Sequence, residues 1–181
     1  MKISNFFKLI IAIAVSESAG VVGSLVTIPS VANPSTASGL SWYAELVKPT
    51  FNPPAWVFGP VWTTLFALMG ISLFLIWKQH SNILEDVRML RTWKIGIVAF
   101  FVQLALNTLW SIIFFGSTSL TINGLNNIGI AFVEIIFLWL AILLTIIMFN
   151  KISKTAAWLL VPYILWVSFA AYLNYSIWML N

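Results

Sequence analysis

Five long apolar stretches separated by brief polar breaks account for most of this chain. Runs of Leu, Ile, Val, Phe and Ala cover Phe6 to Ile28, Ala55 to Trp77, Trp93 to Phe115, Leu125 to Phe149 and Ala156 to Met179. Each is long enough to cross a hydrocarbon core about 30 Å thick, which takes about 20 residues of helix. None alternates with the period of two that a membrane strand needs, so the pattern predicts helices. Because backbone amides in lipid must pair within their own segment, five complete helices are expected rather than broken ones. The breaks are Pro29 to Leu40, with N-P-S-T-A-S-G inside it, and two polar turns, Gln79 to Asp86 and Ser117 to Asn123. No internal repeat divides the sequence, and residues 1–181 read as a single all-α membrane domain.

Within the spans, polar and aromatic positions recur at helical spacing. Ala12, Ser16, Gly20 and Ser24 form a small-residue stripe that lets another helix approach the first span closely. The second span aligns Trp62, Phe66, Met69 and Leu73, and the third aligns Gln103, Asn107, Trp110, Ser111 and Phe114. The fifth aligns Trp158, Pro162, Trp166, Phe169 and Leu173. Such stripes serve either packing or a cavity wall, and interhelical bonds by themselves contribute only ~0.6 kcal/mol each on average. Trp77, Trp93, Trp158 and Trp178 lie near span ends, where an interfacial aromatic belt accounts for them, whereas Trp62 and Trp166 lie deeper. Pro49, Pro53 and Pro54 predict a stiff extended segment before the second helix, which should begin near Ala55 with Pro60 in its opening turns.

Composition agrees: 61% of residues are hydrophobic and 8% charged, with a mean hydropathy of +0.99. The net charge of +4 is explained by topology. Lys2 and Lys8 precede the first span, Lys78, Arg88, Arg91 and Lys94 flank the loop after the second, Lys151 and Lys154 follow the fourth, and only Lys48 falls on the other side. This predicts a cytoplasmic N-terminus and an outside C-terminus. Basic residues split among three short loops do not make a nucleic-acid surface. A secretory signal is the competing reading of the N-terminus, with small residues near Ser18 and Ala19, but a cleaved peptide has no use for the small-residue stripe. With no cysteine, disulfides, thiol catalysis and cysteine metal sites are excluded. The lone His80 lies in a loop, so no histidine-ligated haem iron is expected inside the bundle, and no metal site is assigned. Walker, Rossmann and triad patterns do not occur.

Two carboxylates fall at membrane depth, Glu17 and Glu134, where an ionised acid costs on the order of 2.5 to 3.5 kcal/mol on insertion scales. Each is either an uncharged group bonded to a neighbouring helix or a member of a wet or ligand-filled cavity. For Glu17, beside the small-residue stripe, packing or a helix-to-helix hydrogen bond is the default.

The segment W-Y-A-E-L-V-K-P-T-F-N-P-P-A-W-V-F-G-P-V-W from Trp42 to Trp62 continues as W-T-T-L-F-A-L-M-G to Gly70. It is followed by L-A-L-N-T-L-W-S-I-I-F-F-G from Leu104 and L-L-V-P-Y-I-L-W-V-S-F-A-A-Y-L-N-Y from Leu159. In this order the blocks resemble the TspO/MBR family of tryptophan-rich sensory proteins, the group that includes the mitochondrial translocator protein. The resemblance implies a five-helix bundle with a ligand pocket capped by loop 29–54; the family's membrane differs between organisms, and a bacterial-type cytoplasmic membrane is the expected setting. It implies pocket residues Tyr43, Pro53, Trp56 and Phe58 above, Trp62 and Phe66 from the second helix, and Asn107 and Trp110 from the third. Glu134, aligned by spacing, would contribute from the fourth, and Trp166 and Ala170 from the fifth. No cofactor is required; the implied ligands are porphyrins such as protoporphyrin IX, haem-related compounds, synthetic benzodiazepine-type molecules and, for some members, sterols. The sterol pattern of Leu or Val, Tyr and then a basic residue fails after Tyr175, where no Lys or Arg follows. A homodimer is also implied, with Gly96 and Ala99 as small residues able to face a partner helix.

Three functions remain open at this stage. A sensor or regulator of tetrapyrrole handling is favoured. Light- and oxygen-dependent porphyrin degradation would make Trp62 and Trp166 catalytic. A transporter of porphyrin or sterol-like solutes would ordinarily show repeated halves, which this chain does not.

Overall fold

In the computed structural model, described over residues 4–33, 39–116 and 120–181, five helical segments are long and apolar enough to cross a membrane. The first, α1 (Asn5–Ala32), opens on Ser4, whose hydroxyl accepts from the Phe7 amide at 3.5 Å. It continues through Pro29, beyond the expected end at Ile28, because a proline this near the C-terminus removes only one amide from a long helix. The expected loop therefore starts only after Ala32. Residues 34–38 of that loop, residues 117–119 of the expected Ser117 to Asn123 turn, and Lys2 of the basic N-terminal pair lie outside the described residues.

A short helix, α2 (Trp42–Glu45), is capped by Ser41. The segment after it is extended only in part, because a turn at Thr50–Phe51, closed by the Asn52 amide donating to the Pro49 carbonyl at 3.0 Å, breaks the stiff extended run expected from the prolines. A 3-10 turn at Ala55–Val57 leads into α3 (Phe58–Gln79), with Pro60 in its first turn as expected. The next helix, α4 (Val87–Ser111), begins well before Trp93 because the Asp86 carboxylate accepts from the amides of Arg88 at 2.9 Å and Met89 at 3.0 Å. It ends in a π turn at Ile112–Gly116.

The fourth span starts at Asn127 rather than Leu125. Leu125–Asn126 is a strand, β2, paired antiparallel with β1 (Thr121–Ile122) in the register Thr121 to Asn126 and Ile122 to Leu125. Asn123 and Gly124, with φ of 51° and 80°, make the two-residue turn. After α5 (Asn127–Asn150), the fifth span comes in two pieces, α6 (Lys154–Leu159) and α7 (Val161–Leu180). Pro162 has no amide proton and sits in the opening turn of α7, which interrupts the helix at Leu160.

The helices form a ring in which α1 lies against α3 and α4, α4 against α5, α5 against α6 and α7, and α6 closes back onto α3. Polar cross-links fix the neighbours. Ser72 Oγ donates to the Ala156 carbonyl at 2.7 Å, Trp93 Nε1 to the Ile76 carbonyl at 3.1 Å, and Thr108 Oγ1 to the Ala19 carbonyl at 3.3 Å. The closest approaches use glycine: a Cβ at Gly70 would lie 2.5 Å from Ile13 Cα. At Gly96, expected to face a partner, an added Cβ would lie 3.1 Å from Met148 and Phe149 of the same chain. The half of the ring carrying the ends of α3 and α5 and the start of α4 is solid. Met69, Ile76, Phe100, Ile142, Phe149 and Leu160 are all buried there, with the Phe100 and Phe149 rings stacked at 6.0 Å. The other half is hollow.

Candidate ligand cavity

Beneath the loop that carries α2, a cavity of about 520 Å³ opens between α1, α3, α4 and α7, within the size range of small-molecule sites. The sequence places it there because Trp62 and Phe66 in the first half of α3 and Trp166 and Phe169 in the first half of α7 line walls of the void. Trp62 stacks on Phe66 with centroids 5.6 Å apart and meets Tyr163 edge-on at 6.2 Å. Trp166 lies edge-on to Phe58 at 6.2 Å and 5.5 Å from Phe169. Trp62 and Trp166 line the same void, each half-buried.

On α4, Asn107 Nδ2 donates to the Tyr163 hydroxyl at 3.1 Å, and Trp110 Nε1 donates to Asn174 Oδ1 at 3.0 Å. Asn174 in turn donates to the Ile128 carbonyl at 2.9 Å, joining α4, α5 and α7 around the wall. The π turn adds an extra residue to its turn and turns Phe114 inward, where its ring stacks on Trp110 at 5.2 Å.

The lid is held by its own polar groups. Tyr43 donates to Asn52 Oδ1 at 3.0 Å, and the Asn52 amide donates to the Pro53 carbonyl at 3.0 Å. Burial raises the Tyr43 phenol, and the bond to Asn52 partly offsets that rise. Lys48 Nζ donates to the carbonyls of Tyr43, Ala44 and Leu46 at 2.6, 3.2 and 2.7 Å and sits 4.9 Å above the Tyr43 ring. Asn181 accepts from the Val47 amide and donates to its carbonyl, both at 2.9 Å, tying the lid to the end of α7. The wall is incomplete between α1 and α3, where cavity-lining Val21 and Ile28 are 60% and 61% exposed, Trp56 is 75% exposed, and Gly59 and Thr63 are also exposed. This mouth opens outward through the side of the bundle.

Of the residues expected at the site, Tyr43, Trp56, Phe58, Trp62, Phe66, Asn107, Trp110, Trp166 and Ala170 line this cavity. Pro53 does not; it shapes the lid from behind. Glu134 does not either; it lies on α5, which packs against α4 and α7. There it is buried, close enough to Tyr163 to act on it electrostatically, and neither oxygen has a hydrogen-bond partner among the described residues. The Gln103 amide is likewise buried with no partner among the described residues, so the interhelical bond considered for it is not made there.

Glu17 reverses its expectation. Among the described residues it forms no helix-to-helix hydrogen bond, and it lines the cavity instead. Sequence reasoning also passed over Asn174, Thr27 and Thr63. Asn174 was detectable as a polar residue two turns beyond Trp166 on the same face. Of the expected belt tryptophans, Trp158 is 70% exposed, whereas Trp178 covers Gly129 and stacks on Phe132 at 5.9 Å. His80 packs against the Trp93 ring at 4.5 Å.

The TspO/MBR family model matches residues 12–179. A protein of Chlorobaculum tepidum named tryptophan-rich protein TspO is 44% identical over 151 residues, 81% of this chain and 84% of its own length. The Archaeoglobus fulgidus protein of the same name is 40% identical over 177 residues, 98% and 99% of the two chains. The Homo sapiens translocator protein is 37% identical over 140 residues, 77% of this chain and 75% of its own. A family match along nearly the whole length, and relatives of this closeness on a bundle of five membrane-length helices, lead to one conclusion: the chain belongs to the TspO/MBR family, as a multi-pass integral membrane protein among its sensors and regulators.

Proposed function

We propose that the protein senses or regulates tetrapyrrole handling by binding a porphyrin, with protoporphyrin IX as the reference ligand, in the cavity beneath the lid. The observation that carries this reading is that Trp62 and Trp166 face one void from opposite helices, with Phe66, Phe58 and Phe169 beside them. Flat aromatic faces give dispersion and stacking to a large planar ligand, and a few polar groups orient it. The solid core beyond the cavity floor, built from Met69, Phe100 and Ile142, argues against a through-path for transport. The expected setting is a bacterial-type cytoplasmic membrane with the lid outside; a sterol ligand and a homodimer are weaker parts of the proposal.

The test is titration of protoporphyrin IX into protein held in lipid nanodiscs, followed by tryptophan quenching. Ala170 lines the wall, so Ala170→Trp fills the void and is expected to weaken binding at least about tenfold, the loss of a good part of the stacking surface. Equal binding by the wild type and Ala170→Trp removes the cavity from the function. The placement of Trp62 and Trp166 also favours a second reading, light-driven porphyrin breakdown. Illumination of the complex, with Trp62→Phe and Trp166→Phe as comparisons, decides it: bleaching no faster than that of free porphyrin in detergent ends the enzymatic reading.

A further inference from the structure

Among the polar groups on the cavity wall, Glu17 stands apart. Hydroxyl and amide groups there direct their donors inward: Ser24 to the Val21 carbonyl, Thr27 to Gly23, Thr63 to Gly59, Asn107 to Tyr163, and Asn174 to Ile128. Indole N–H groups offer neutral donors only, and no Lys, Arg or His lines the void among the described residues. Glu17 is the one carboxyl on the wall, and no hydrogen bond or ion pair engages it among the described residues. Its place on α1 is just below Gly20, whose Cα the Phe66 ring overlies. From Ala32 at the lid end, fifteen residues of helix put it about 22 Å down. The α1 wall of the cavity therefore carries, at half-buried Glu17, the one acidic acceptor among the described lining residues, near the middle of the membrane-length helix, whereas Lys48 at the lid end is turned onto backbone carbonyls.

We infer that Glu17 is a specificity-determining group of this cavity: it selects planar lipophilic ligands that lead with a protonated amine over isosteric neutral or anionic ones. The inference rests on the proposed cavity function and deepens it. A carboxyl in an apolar site gains most from a partner that brings both charge and N–H donors, because screening there is weak. An anionic leading edge meets an acid with no cation to offset it, which is discrimination by repulsion. A tetrapyrrole with carboxylate side chains consequently lies with that edge toward the lid and its apolar edge on the floor.

Three pyrene probes of nearly equal shape test this in nanodiscs by energy transfer from tryptophan: 1-pyrenemethylamine, 1-pyrenemethanol and 1-pyrenecarboxylate. Transfer to protein carrying Ala170→Trp is subtracted to remove probe dissolved in lipid. The wild type is expected to bind the amine about tenfold more tightly than the alcohol, the effect of one charged hydrogen bond, and the carboxylate most weakly. Glu17→Gln is expected to bring the amine and alcohol together. An amine no tighter than the alcohol in the wild type, or an amine advantage that survives Glu17→Gln, overturns the inference while alcohol binding still upholds the cavity. Should none of the three bind above the Ala170→Trp background, the cavity reading falls and the inference falls with it.

Discussion

Gly20 and Gly70 both lie where α1 meets α3, yet a methyl group added at each strikes different matter. At Gly70 it would meet Ile13 Cα at 2.5 Å and the Ile13 amide nitrogen at 2.9 Å, backbone that cannot give way without parting the helices. At Gly20 it would meet the edge of the Phe66 ring at 2.5 Å, and a ring can swing aside into the void. Gly70→Ala is therefore expected to cost about 1–3 kcal/mol of stability, read as a lower thermal midpoint in detergent. Gly20→Ala should leave that midpoint within a few degrees and weaken porphyrin binding, because Phe66 then occupies ligand space. Residue-level chemistry was only partly legible in advance. The aromatic wall followed from helical spacing and motif. The two acids could not be assigned, because facing the cavity or facing away from it depends on how helices are rotated about their axes, and a lone carboxyl in an apolar span carries no periodic signal. The resemblance, aligned there by spacing alone, pointed to Glu134; the rotation of α1 instead brings Glu17 to the void.

At the level of elements, the departures from regular helix have identifiable supports. In the π turn, the Phe114 carbonyl accepts from Asn127 Nδ2 at 2.9 Å and the Phe115 carbonyl from Ser30 Oγ at 2.7 Å, so groups on α5 and α1 satisfy acceptors near the end of the helix. Asn127 is buried and Ser30 half-buried. Asn127→Ala should thus cost about 1–3 kcal/mol by stranding a buried carbonyl. Ser30→Ala should cost less, since water can reach its partner. Unfolding midpoints together with amide exchange across residues 112–116 give the ranking. The existence of five spans was plain from hydropathy alone, since the lipid requires length and apolarity before anything else. Their ends were not, because capping decides them: Asp86 draws α4 back to Val87, and Pro29 is absorbed where a sequence reading ends the helix. The hairpin ahead of α5 had a signal in Asn123-Gly124, masked by an apolar Leu125 that also suited the next span.

For the molecule as a whole, the arrangement of basic residues sets a testable orientation. Lys78, Arg88, Arg91 and Lys94 cluster around the turn between α3 and α4, Lys151 and Lys154 around that between α5 and α6, and Lys8 lies 5.7 Å from the Trp77 ring at the same end. Lys48 is at the lid. The sequence has no cysteine, so a single introduced thiol reports its own side. In intact cells, a membrane-impermeant maleimide should label Thr50→Cys directly and Glu85→Cys only after permeabilisation; the reverse result inverts the bundle.

The gap between α1 and α3 bears on how any affinity of this protein is to be expressed. Exposed Val21, Ile28 and Thr63 border it; on the proposed reading of the cavity, with this face toward acyl chains, a hydrophobic guest would arrive from its dissolved population in the bilayer, not from the aqueous phase. Occupancy then follows the mole fraction of guest in lipid. Diluting the buffer at constant lipid hardly changes it for a strongly partitioning compound, whereas adding empty vesicles drains the site.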